Sequence, residues 1–334
     1  MAEAAPRPGE FDLIARFLRP LADNPAALGL ADDAALLTPP VGESLVLTKD
    51  MLAAGVHFFA DDPPASIARK ALRVNLSDLA AKGARPLGYL LGLALPSDWA
   101  VGWMEDFASG LADDQARYGI SLLGGDTLKA SGGLTLSITA IGAVPDASMV
   151  RRSGARVGDI LFVSGTIGDA ALGLRLRLGT IDAAPAGAAA AHLLDRYLHP
   201  QPRLCLADLL RRHAHAALDI SDGLVGDLGH MLRASGVGAV LEAAKVPLSP
   251  AAALLVAHDR TALESVLTGG DDYEIIASVP PAEAELFQAR AAAAGIAVTA
   301  IGHIVEGRGP AIVLDAAGAA LSLRQGSHDH FPGA

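Results

Sequence analysis

The sequence predicts a mixed α/β or α+β protein of two domains, because helical and strand patterns interleave along the whole chain. Its 334 residues are enough for two domains of ordinary size, each with its own core. The segment GLTLSITAIGAV alternates Leu134, Leu136 and Ile138 with small hydroxyl residues, which is typical of a half-buried antiparallel strand. Residues 64–82 carry an apolar stripe at helical spacing, which predicts a helix.

The rest of the first half follows the same alternation. Apolar spacing predicts a helix from Phe11 to Leu21, and SLVLTKD, residues 44–50, predicts a strand. Beyond the helix at 64–82, the sequence predicts a strand, a helix and a strand that ends in a Gly-Gly turn. These three segments are GYLLGLALP, WMEDFASGLADDQARYG and ISLLGG.

The domain boundary is predicted within PDASMVRRSGARVGD, residues 145–159, where Pro, Gly, Ser and Arg cluster after the alternating strand. We therefore expect an N-terminal domain of residues 1–148 and a C-terminal domain of residues 149–334. The second domain begins with a strand, a Gly-rich turn and a helix in ILFVSGTIGDAALGL. Within it, residues 180–192 are low in complexity and predict a flexible surface excursion.

Composition excludes several classes of protein. The net charge of −11 argues against a nucleic-acid binder, which needs a basic face to neutralise phosphates. The apolar run at residues 86–97 is too short to cross a bilayer, and the first residues do not resemble a signal peptide. Cys205 is the single cysteine and so excludes an intrachain disulfide. We therefore expect a cytoplasmic protein with no membrane partner.

One apolar stretch, AALDISDGLVGDL at residues 216–228, holds Asp219, Asp222 and Asp227 without any Lys or Arg. Burying a carboxylate is costly unless a proton, a distant Arg or a metal ion neutralises it. Other apolar stretches also carry acidic residues where a predicted element meets a turn. These residues are Asp32, Asp33, Asp50, Asp78, Asp126, Asp271, Asp272 and Glu274.

Each aspartate alone has a structural explanation: Asp222 could cap the following helix, and Asp126 could close the Gly-Gly turn. Taken together, they favour a shared site for a hard divalent cation such as Mg²⁺ or Ca²⁺. Zinc is disfavoured, because no Cys accompanies the close histidine pairs at ligand spacing. The pairs are His213 with His215 and His328 with His330.

A magnesium site of this kind points to a nucleotide, because Mg²⁺ bound by a few carboxylates usually completes its octahedron with water and phosphate oxygens. The chain lacks a P-loop, a Gly-x-Gly-x-x-Gly motif and a protein-kinase catalytic loop. Clustered metal ions could replace the phosphate-loop lysine, assisted by backbone N–H groups of VSGTIGD or GGDT.

Motifs in order over nearly the whole chain resemble the thiamine-monophosphate kinase family. They include ADDAALL, TKDMLAAGVHFF, KALRVNLSDLAAKGARP, LLGGDT, RRSGARVGDILFVSGTIGDAALGL, ALDISDGLVGDLGHML, LTGGDDYEI and HDHF. The wider superfamily contains aminoimidazole ribonucleotide synthetase, selenophosphate synthetase and a hydrogenase maturation protein. Two alternatives stay open: a selenophosphate synthetase-like enzyme, expected to carry an N-terminal Cys, and a catalytically silent nucleotide-binding dimer.

The resemblance implies an aminoimidazole ribonucleotide synthetase-like fold. In that fold the strands of the N-terminal domain pair across a homodimer, and an α+β C-terminal domain completes the active-site cleft. It implies direct transfer of the γ-phosphate of ATP to thiamine monophosphate, with several Mg²⁺ ions, giving thiamine diphosphate and ADP. No catalytic acid or base is assigned, because a phosphate-monoester oxygen is already largely ionised near neutral pH.

The resemblance also implies roles for individual residues. The expected metal ligands are Asp33, Thr48, Asp50, Asp78, Asp126, Asp219 and Asp222. The expected ATP contacts are Gly125, Asp126, Arg152 and Ser221. The expected contacts to the thiamine substrate are His57, Asp271 and His328.

The chain departs from the family pattern at a few positions. Ala31 stands where the family usually has Gly, Asp271 where it often has Glu, and His328 where an aromatic residue is usual. Lys49 replaces a Thr between Thr48 and Asp50, and in a strand its side chain points to the other face.

Overall fold

The fold is described by a computed structural model that covers residues 7–323 of the chain. The expected substrate contact His328 lies outside these residues. The chain divides into two compact units. The first comprises the described residues up to Leu79 together with Arg85–Ala147, and the second comprises Ala80–Ala84 together with the residues from Ser148 onward. Among residues 7–323, no helix combines the length and hydropathy needed to cross a membrane.

The first unit contains a four-stranded sheet in the order β1-β4-β2-β3. The central strand β4 is antiparallel to β1 and β2, and β2 is parallel to β3. The strands are β1 (Glu43–Ala53), β2 (Arg85–Leu95), β3 (Ser121–Lys129) and β4 (Thr135–Pro145). The helices are α1 (Glu10–Leu13), α2 (Pro64–Ala81), whose last two residues belong to the second unit, and α3 (Val101–Tyr118).

The helical segment predicted from Phe11 to Leu21 is irregular, because α1 continues through a π turn into a 3-10 turn that ends at Leu21. The alternation predicted for β4 is confirmed: Leu136 and Ile138 are buried, whereas the hydroxyl residues between and beside them are only partly buried. Helices α2 and α3 pack closely at Gly110, where an added Cβ would lie 2.5 Å from the carbonyl oxygen of Ala65. A buried ion pair between Arg73 and Asp114 joins the same two helices at 2.7 Å.

The second unit contains a six-stranded sheet in the order β10-β7-β9-β5-β8-β6, antiparallel except for the β10-β7 pair. The strands are β5 (Ile160–Ser164), β6 (Ala216–Asp219), β7 (Gly238–Glu242), β8 (Ile275–Val279), β9 (Val298–Val305) and β10 (Ile312–Leu314). The helices are α4 (Asp169–Arg177), α5 (Ala190–Leu198), α6 (Ala207–His213), α7 (Leu224–Ser235), α8 (Pro250–His258), α9 (Arg260–Thr268) and α10 (Pro281–Ala293).

Hydrophobic side chains cover both faces of this sheet. On one face, Phe162 of β5 packs with Phe287 of α10 and Leu210 of α6. On the other face, Leu161 and the neighbouring strands pack against α4, α5, α7, α8 and α9. The low-complexity excursion predicted at residues 180–192 is therefore shorter than expected, because α5 begins at Ala190 and buries Leu193.

Candidate metal and nucleotide site

In the first unit, Thr48 and Asp50 lie two residues apart on β1, so their side chains share one face of the strand. On that face, the Thr48 hydroxyl donates a hydrogen bond to Oδ2 of Asp78 on α2. The backbone N–H of Asp50 donates to Oδ1 of Asn75 at 3.1 Å. The structure thus brings Thr48, Asp50 and Asp78 to one contact between β1 and α2, while Lys49 is exposed.

Asn75 belongs to this group although the sequence interpretation omitted it. It is fully buried, and its side-chain nitrogen donates to the carbonyl oxygen of Ala71 at 3.0 Å. Its oxygen therefore faces β1 and fixes the backbone of Asp50. The signal was available in the sequence, because Asn75 precedes Asp78 by three residues and shares its face of the helix.

The prediction of a turn at Gly124–Asp126 is wrong, because β3 continues through these residues to Lys129. A Cβ at Gly125 would lie 1.9 Å from the carbonyl oxygen of Leu91 on β2. Glycine is therefore needed here for the close approach of the two strands, rather than for a turn.

The strand register separates Asp126 from the Thr48 group. Asp50 pairs with Ile138, which pairs with Leu91, whereas Asp126 pairs with Gly92. Because neighbouring residues of a strand point to opposite faces, Asp126 lies on the other face of the sheet from Asp50. Its side chain is exposed on the edge strand, so a single ion shared by both carboxylates is not supported by this register.

Asp33 lies in an exposed turn after the helical segment Pro25–Leu30, which packs against β3. Its backbone N–H donates to Oδ1 of Asp32 at 2.7 Å, so Asp32 shapes the turn and Asp33 presents its carboxylate. Ala31, where the family usually has Gly, has φ of −108°, which any residue adopts without strain.

His57 closes the turn that follows β1. Its Nδ1 accepts a hydrogen bond from the backbone N–H of Ala53 at 3.1 Å, so the proton of a neutral ring resides on Nε2. The Lys70 ammonium donates to the carbonyl oxygen of His57 at 2.9 Å. The ring is therefore held by its turn, with Nε2–H as its donor.

In the second unit, Asp219 ends β6, and Ser221 and Asp222 form the turn before α7. The suggestion that Asp222 caps α7 is wrong, because Gly223 occupies the cap position and makes no side-chain cap. Instead, Oδ2 of Asp227 accepts the backbone N–H groups of Ser221 at 3.0 Å and Asp222 at 2.9 Å.

Asp227 thus shapes the turn from within. Burial raises the pKa of its carboxyl to about 7, an effect to which the negative charge of Asp222 adds and which the backbone N–H groups oppose. No described residue donates a hydrogen bond to the carboxylate of Asp222. The carboxylate of Asp222 is therefore available to a ligand, whereas the carboxylate of Asp227 is engaged by the backbone N–H groups of the turn.

Asp271 lies in a segment fixed from several sides. Its N–H donates to the carbonyl oxygen of Ser221 at 2.9 Å, so the segment is bonded directly to the acidic turn. Asp271 and Tyr273 have φ of 70° and 50°, a left-handed conformation that costs about 1–2 kcal/mol for each such residue. The neighbouring contacts must therefore hold this conformation in place.

The two acids that follow Asp271 supply such contacts. Asp272 is buried and accepts the N–H of Gly168 at 2.7 Å, at the start of α4. Glu274 has no exposed surface and accepts bonds from Ser164 at 2.6 Å, Arg196 at 2.8 Å and Arg203 Nε at 2.6 Å. Both acids are therefore structural, which the sequence pattern alone could not distinguish from ligand binding.

Arg152 lies in the loop before β5, and its neighbours hold the loop in place. The N–H of Ala217 on β6 donates to the carbonyl oxygen of Arg151 at 3.0 Å. The Arg152 side chain is exposed and makes no ion pair with a described residue. Its guanidinium therefore keeps its full set of donors for an anion.

The donors in both units are suited to a hard cation. Within residues 7–323, no three His, Cys, Asp or Glu side chains enclose a metal position. Mg²⁺ nevertheless needs only one or two carboxylates when nucleotide phosphates and water supply its other ligands. The oxygen donors of each unit, Thr48 and Asp78 in the first and Asp222 in the second, thus fit Mg²⁺ bound together with a phosphate ligand.

Comparison with known proteins identifies the family. Residues 31–144 match the family model described as AIR synthase related protein, N-terminal domain, and residues 156–315 match the corresponding C-terminal domain. Thiamine-monophosphate kinase of Caulobacter vibrioides is 48% identical over 312 residues, which cover 92% of this chain and 87% of that protein.

Solved structures agree with this result. The crystal structure of thiamine-monophosphate kinase from Stenotrophomonas maltophilia is 41% identical, with a TM-score of 0.82 over 94% of this chain and 98% of that one. AaThiL complexed with AMPPCP and TMP is 31% identical, with a TM-score of 0.76 over 96% of this chain and 97% of that one. The predicted two-domain AIR synthase-like fold is confirmed, and the chain belongs to the thiamine-monophosphate kinase family of enzymes.

Proposed function

We propose that the protein phosphorylates thiamine monophosphate with ATP, giving thiamine diphosphate and ADP by direct in-line transfer of the γ-phosphate. The observation that carries this proposal is the turn at Ser221–Asp222, where Asp227 accepts both backbone N–H groups and the partly buried carboxylate of Asp222 receives no hydrogen bond from a described residue. The comparison with relatives supports this proposal, because a relative of 31% sequence identity is complexed with the ATP analogue AMPPCP and with TMP.

The ions are proposed to be Mg²⁺, bound in the first unit by Asp33, Thr48, Asp50, Asp78 and Asp126 and in the second unit by Asp219 and Asp222. When bound, Mg²⁺ neutralises phosphate oxygens and stabilises the charge that develops during transfer. Asp126 would hold a different ion from Thr48 and Asp50, because the register places it on the other face of the sheet. This separation supports more than one metal position.

The chain's own residues would bind and orient the two phosphate compounds. The planar guanidinium of Arg152 would donate hydrogen bonds to the nucleotide. Ser221 and Gly125 are further proposed contacts of the nucleotide. His57 would donate from Nε2–H to the thiamine substrate, with Asp271 and His328 as its other contacts. None of these residues needs to accept a proton, because the attacking oxygen is a phosphate oxygen. Alignment and charge neutralisation then account for catalysis.

We further propose a cytoplasmic homodimer formed through the open face of the first unit's sheet. Leu47 and Met51 of β1 are 63% and 57% exposed, and Leu90 of β2 is 38% exposed on the same face. A cluster of exposed large apolar side chains on a strand face is typical of an interaction surface. A second copy of the chain is its proposed occupant.

The test is a product assay with purified protein, Mg-ATP and thiamine monophosphate, in which ADP is quantified and the thiamine product is identified by mass. We expect equal amounts of ADP and thiamine diphosphate, and neither when Mg²⁺ or thiamine monophosphate is omitted. ATP binding without turnover would contradict the proposal and favour a silent nucleotide-binding dimer. Turnover with selenide in place of thiamine monophosphate would favour the selenophosphate synthetase-like alternative.

A further inference from the structure

A group of basic side chains on α7 stands beside the proposed nucleotide contact Arg152. This group, the α7 basic cluster, consists of His230 and Arg233. Arg233 is exposed and makes no ion pair with a described residue. An exposed arginine without a carboxylate partner, next to a residue expected to bind phosphate, keeps N–H donors available to an anion.

Backbone hydrogen bonds place Arg152 beside α7. Oγ of Ser235, the last residue of α7, accepts the N–H groups of Gly154 at 3.1 Å and Ala155 at 3.2 Å. The carbonyl oxygen of Arg151 is bonded to β6. The short loop that carries Arg152 is therefore fixed between β6 and α7, the same two elements that flank the Asp219–Asp222 turn.

The Arg233 side chain runs back along α7 toward that turn. Its Nη2 donates to Nδ1 of His230 at 2.9 Å, one helical turn earlier. Its Nη1 lies 3.3 Å from the position that a Cβ at Gly229 would occupy, so the missing side chain at Gly229 makes room for the guanidinium. The guanidinium of Arg233 thus points toward the N-terminal end of α7, which Asp222 precedes.

The same contact fixes the hydrogen-bonding pattern of His230. Because Nδ1 accepts from Arg233, the proton of the neutral ring is on Nε2, which can donate to a ligand. Partial burial and the positive charges of Arg233 and Arg152 lower the pKa of His230, although Asp222 opposes them. The shift therefore favours the neutral ring, with Nε2–H as its donor.

We propose that Arg233 and His230 are further ATP-binding residues, which extend the Arg152 contact along α7 to the phosphates that remain on the nucleotide. His230 lies seven positions beyond Gly223, or about 10 Å along the helix axis. It is therefore remote from the phosphate held by a metal ion at Asp222. Contacts to groups that do not react stabilise the ground state and transition state equally, so they affect KM rather than kcat. This inference rests on the proposed function.

The test compares the variants Arg233→Gln, Arg233→Lys and Gly229→Ala in the full chain, with Arg308→Gln as the matched loss of an exposed arginine. Calorimetry measures the Kd of Mg-ATP, and steady-state kinetics measures KM for each substrate. We expect Arg233→Gln to raise the Kd and KM for ATP about tenfold. Arg233→Lys and Gly229→Ala should raise the Kd and KM for ATP less. The first keeps the positive charge but loses the planar guanidinium, and the second keeps the guanidinium but displaces it. Neither kcat nor KM for thiamine monophosphate should change.

His230→Gln provides an independent test, because it keeps an amide N–H donor but removes the ring Nδ1 that accepts from Arg233. We expect a smaller rise in the Kd for ATP than in Arg233→Gln. An unchanged Kd in Arg233→Gln, or one equal to that of Arg308→Gln, would overturn the inference and leave the proposed function intact. A selective rise in KM for thiamine monophosphate would also overturn it. Absence of ATP binding by the wild type would overturn the proposed function together with the inference.

Discussion

At the scale of single residues, neighbouring carboxylates of the second unit have different roles. Asp227 engages the N–H groups of the turn that holds Asp222, and Glu274 binds Arg196 and Arg203. Both acids are buried. Asp222 instead receives no hydrogen bond from a described side chain. The unsatisfied carboxylate is therefore the one expected to bind a cation.

Asp222→Asn and Asp78→Asn should each lower kcat by at least about 100-fold, the usual effect of losing one preorganised electrostatic contact at a reacting phosphate or carbonyl group. Without metal, both variants should melt at or above the wild-type temperature, because they relieve repulsion between acids. Calorimetry of metal-free protein checks this. Glu285→Gln and Asp106→Asn, at exposed helix positions, are the controls. A strongly lowered melting temperature in both test variants would show that the carboxylates are structural.

Substitution of His57 should raise KM for thiamine monophosphate more than KM for ATP. His57→Asn can keep a side-chain acceptor for the N–H of Ala53 and so preserve the turn, but it removes the Nε2–H donor. We expect KM for thiamine monophosphate to rise about tenfold, with little change for ATP. Steady-state kinetics with each substrate varied in turn measures both constants. An equal rise for both substrates would assign His57 a structural role.

At the scale of secondary-structure elements, the pairing of β2 with β3 depends on Gly125. Gly125→Ala places a Cβ 1.9 Å from the Leu91 carbonyl oxygen, so the strands must separate. We expect the free energy of unfolding to fall by about 1–3 kcal/mol, as measured by denaturant titration. Gly132→Ala is the control, because nothing lies within 4 Å of its added Cβ. Equal stability of the two variants would contradict the strand register described for β3.

The junction between Asp272 and α4 should make stability depend on pH. Burial raises the pKa of Asp272 well above its usual value, although the N–H of Gly168 opposes this shift. The folded protein therefore retains a proton that the unfolded chain releases near pH 4. The stabilisation is complete below that pH and is lost as pH rises toward the raised pKa.

Asp272→Asn removes this titration and keeps an acceptor for Gly168. Relative to the wild type, the variant should therefore gain stability as pH rises above about 4, by up to about 1.4 kcal/mol per pH unit, until the raised pKa is passed. Denaturant titrations at several pH values measure the difference. Asp182→Asn, in an exposed loop, is the control and should show no such trend. A difference that stays constant with pH would contradict the shifted pKa.

At the scale of the whole molecule, the open sheet face predicts a dimer. Met51→Lys and Leu47→Glu put charges on this face, while Leu178→Glu puts one at a 55% exposed position in the second unit. We expect sedimentation equilibrium to show weaker self-association for the first two variants only. Dissociation by Leu178→Glu alone would place the interface elsewhere.

Much of the fold was accessible from the sequence because the strand and helix periods are strong. The alternation in β4 predicted its buried face, and the stripe in α2 predicted a helix within one residue of its observed end. The family resemblance also selected Thr48, Asp50 and Asp78, which the structure brings together.

Other features depended on contacts distant in sequence. Gly125 suggested a turn because its sequence does not reveal the close approach of Leu91. The face on which Asp126 lies depends on strand register, which a local pattern does not contain. The roles of Asp272 and Glu274 required their partners on α4, α5 and the loop that holds Arg203.

The central claim is direct transfer of the γ-phosphate from ATP to thiamine monophosphate. The most direct measurement uses ATP labelled with ¹⁸O in the γ-phosphoryl group and follows the label by mass spectrometry. The account predicts that thiamine diphosphate carries the labelled phosphoryl group in an amount equal to the ADP formed. Release of the label as inorganic phosphate, with no label in the thiamine product, would contradict it.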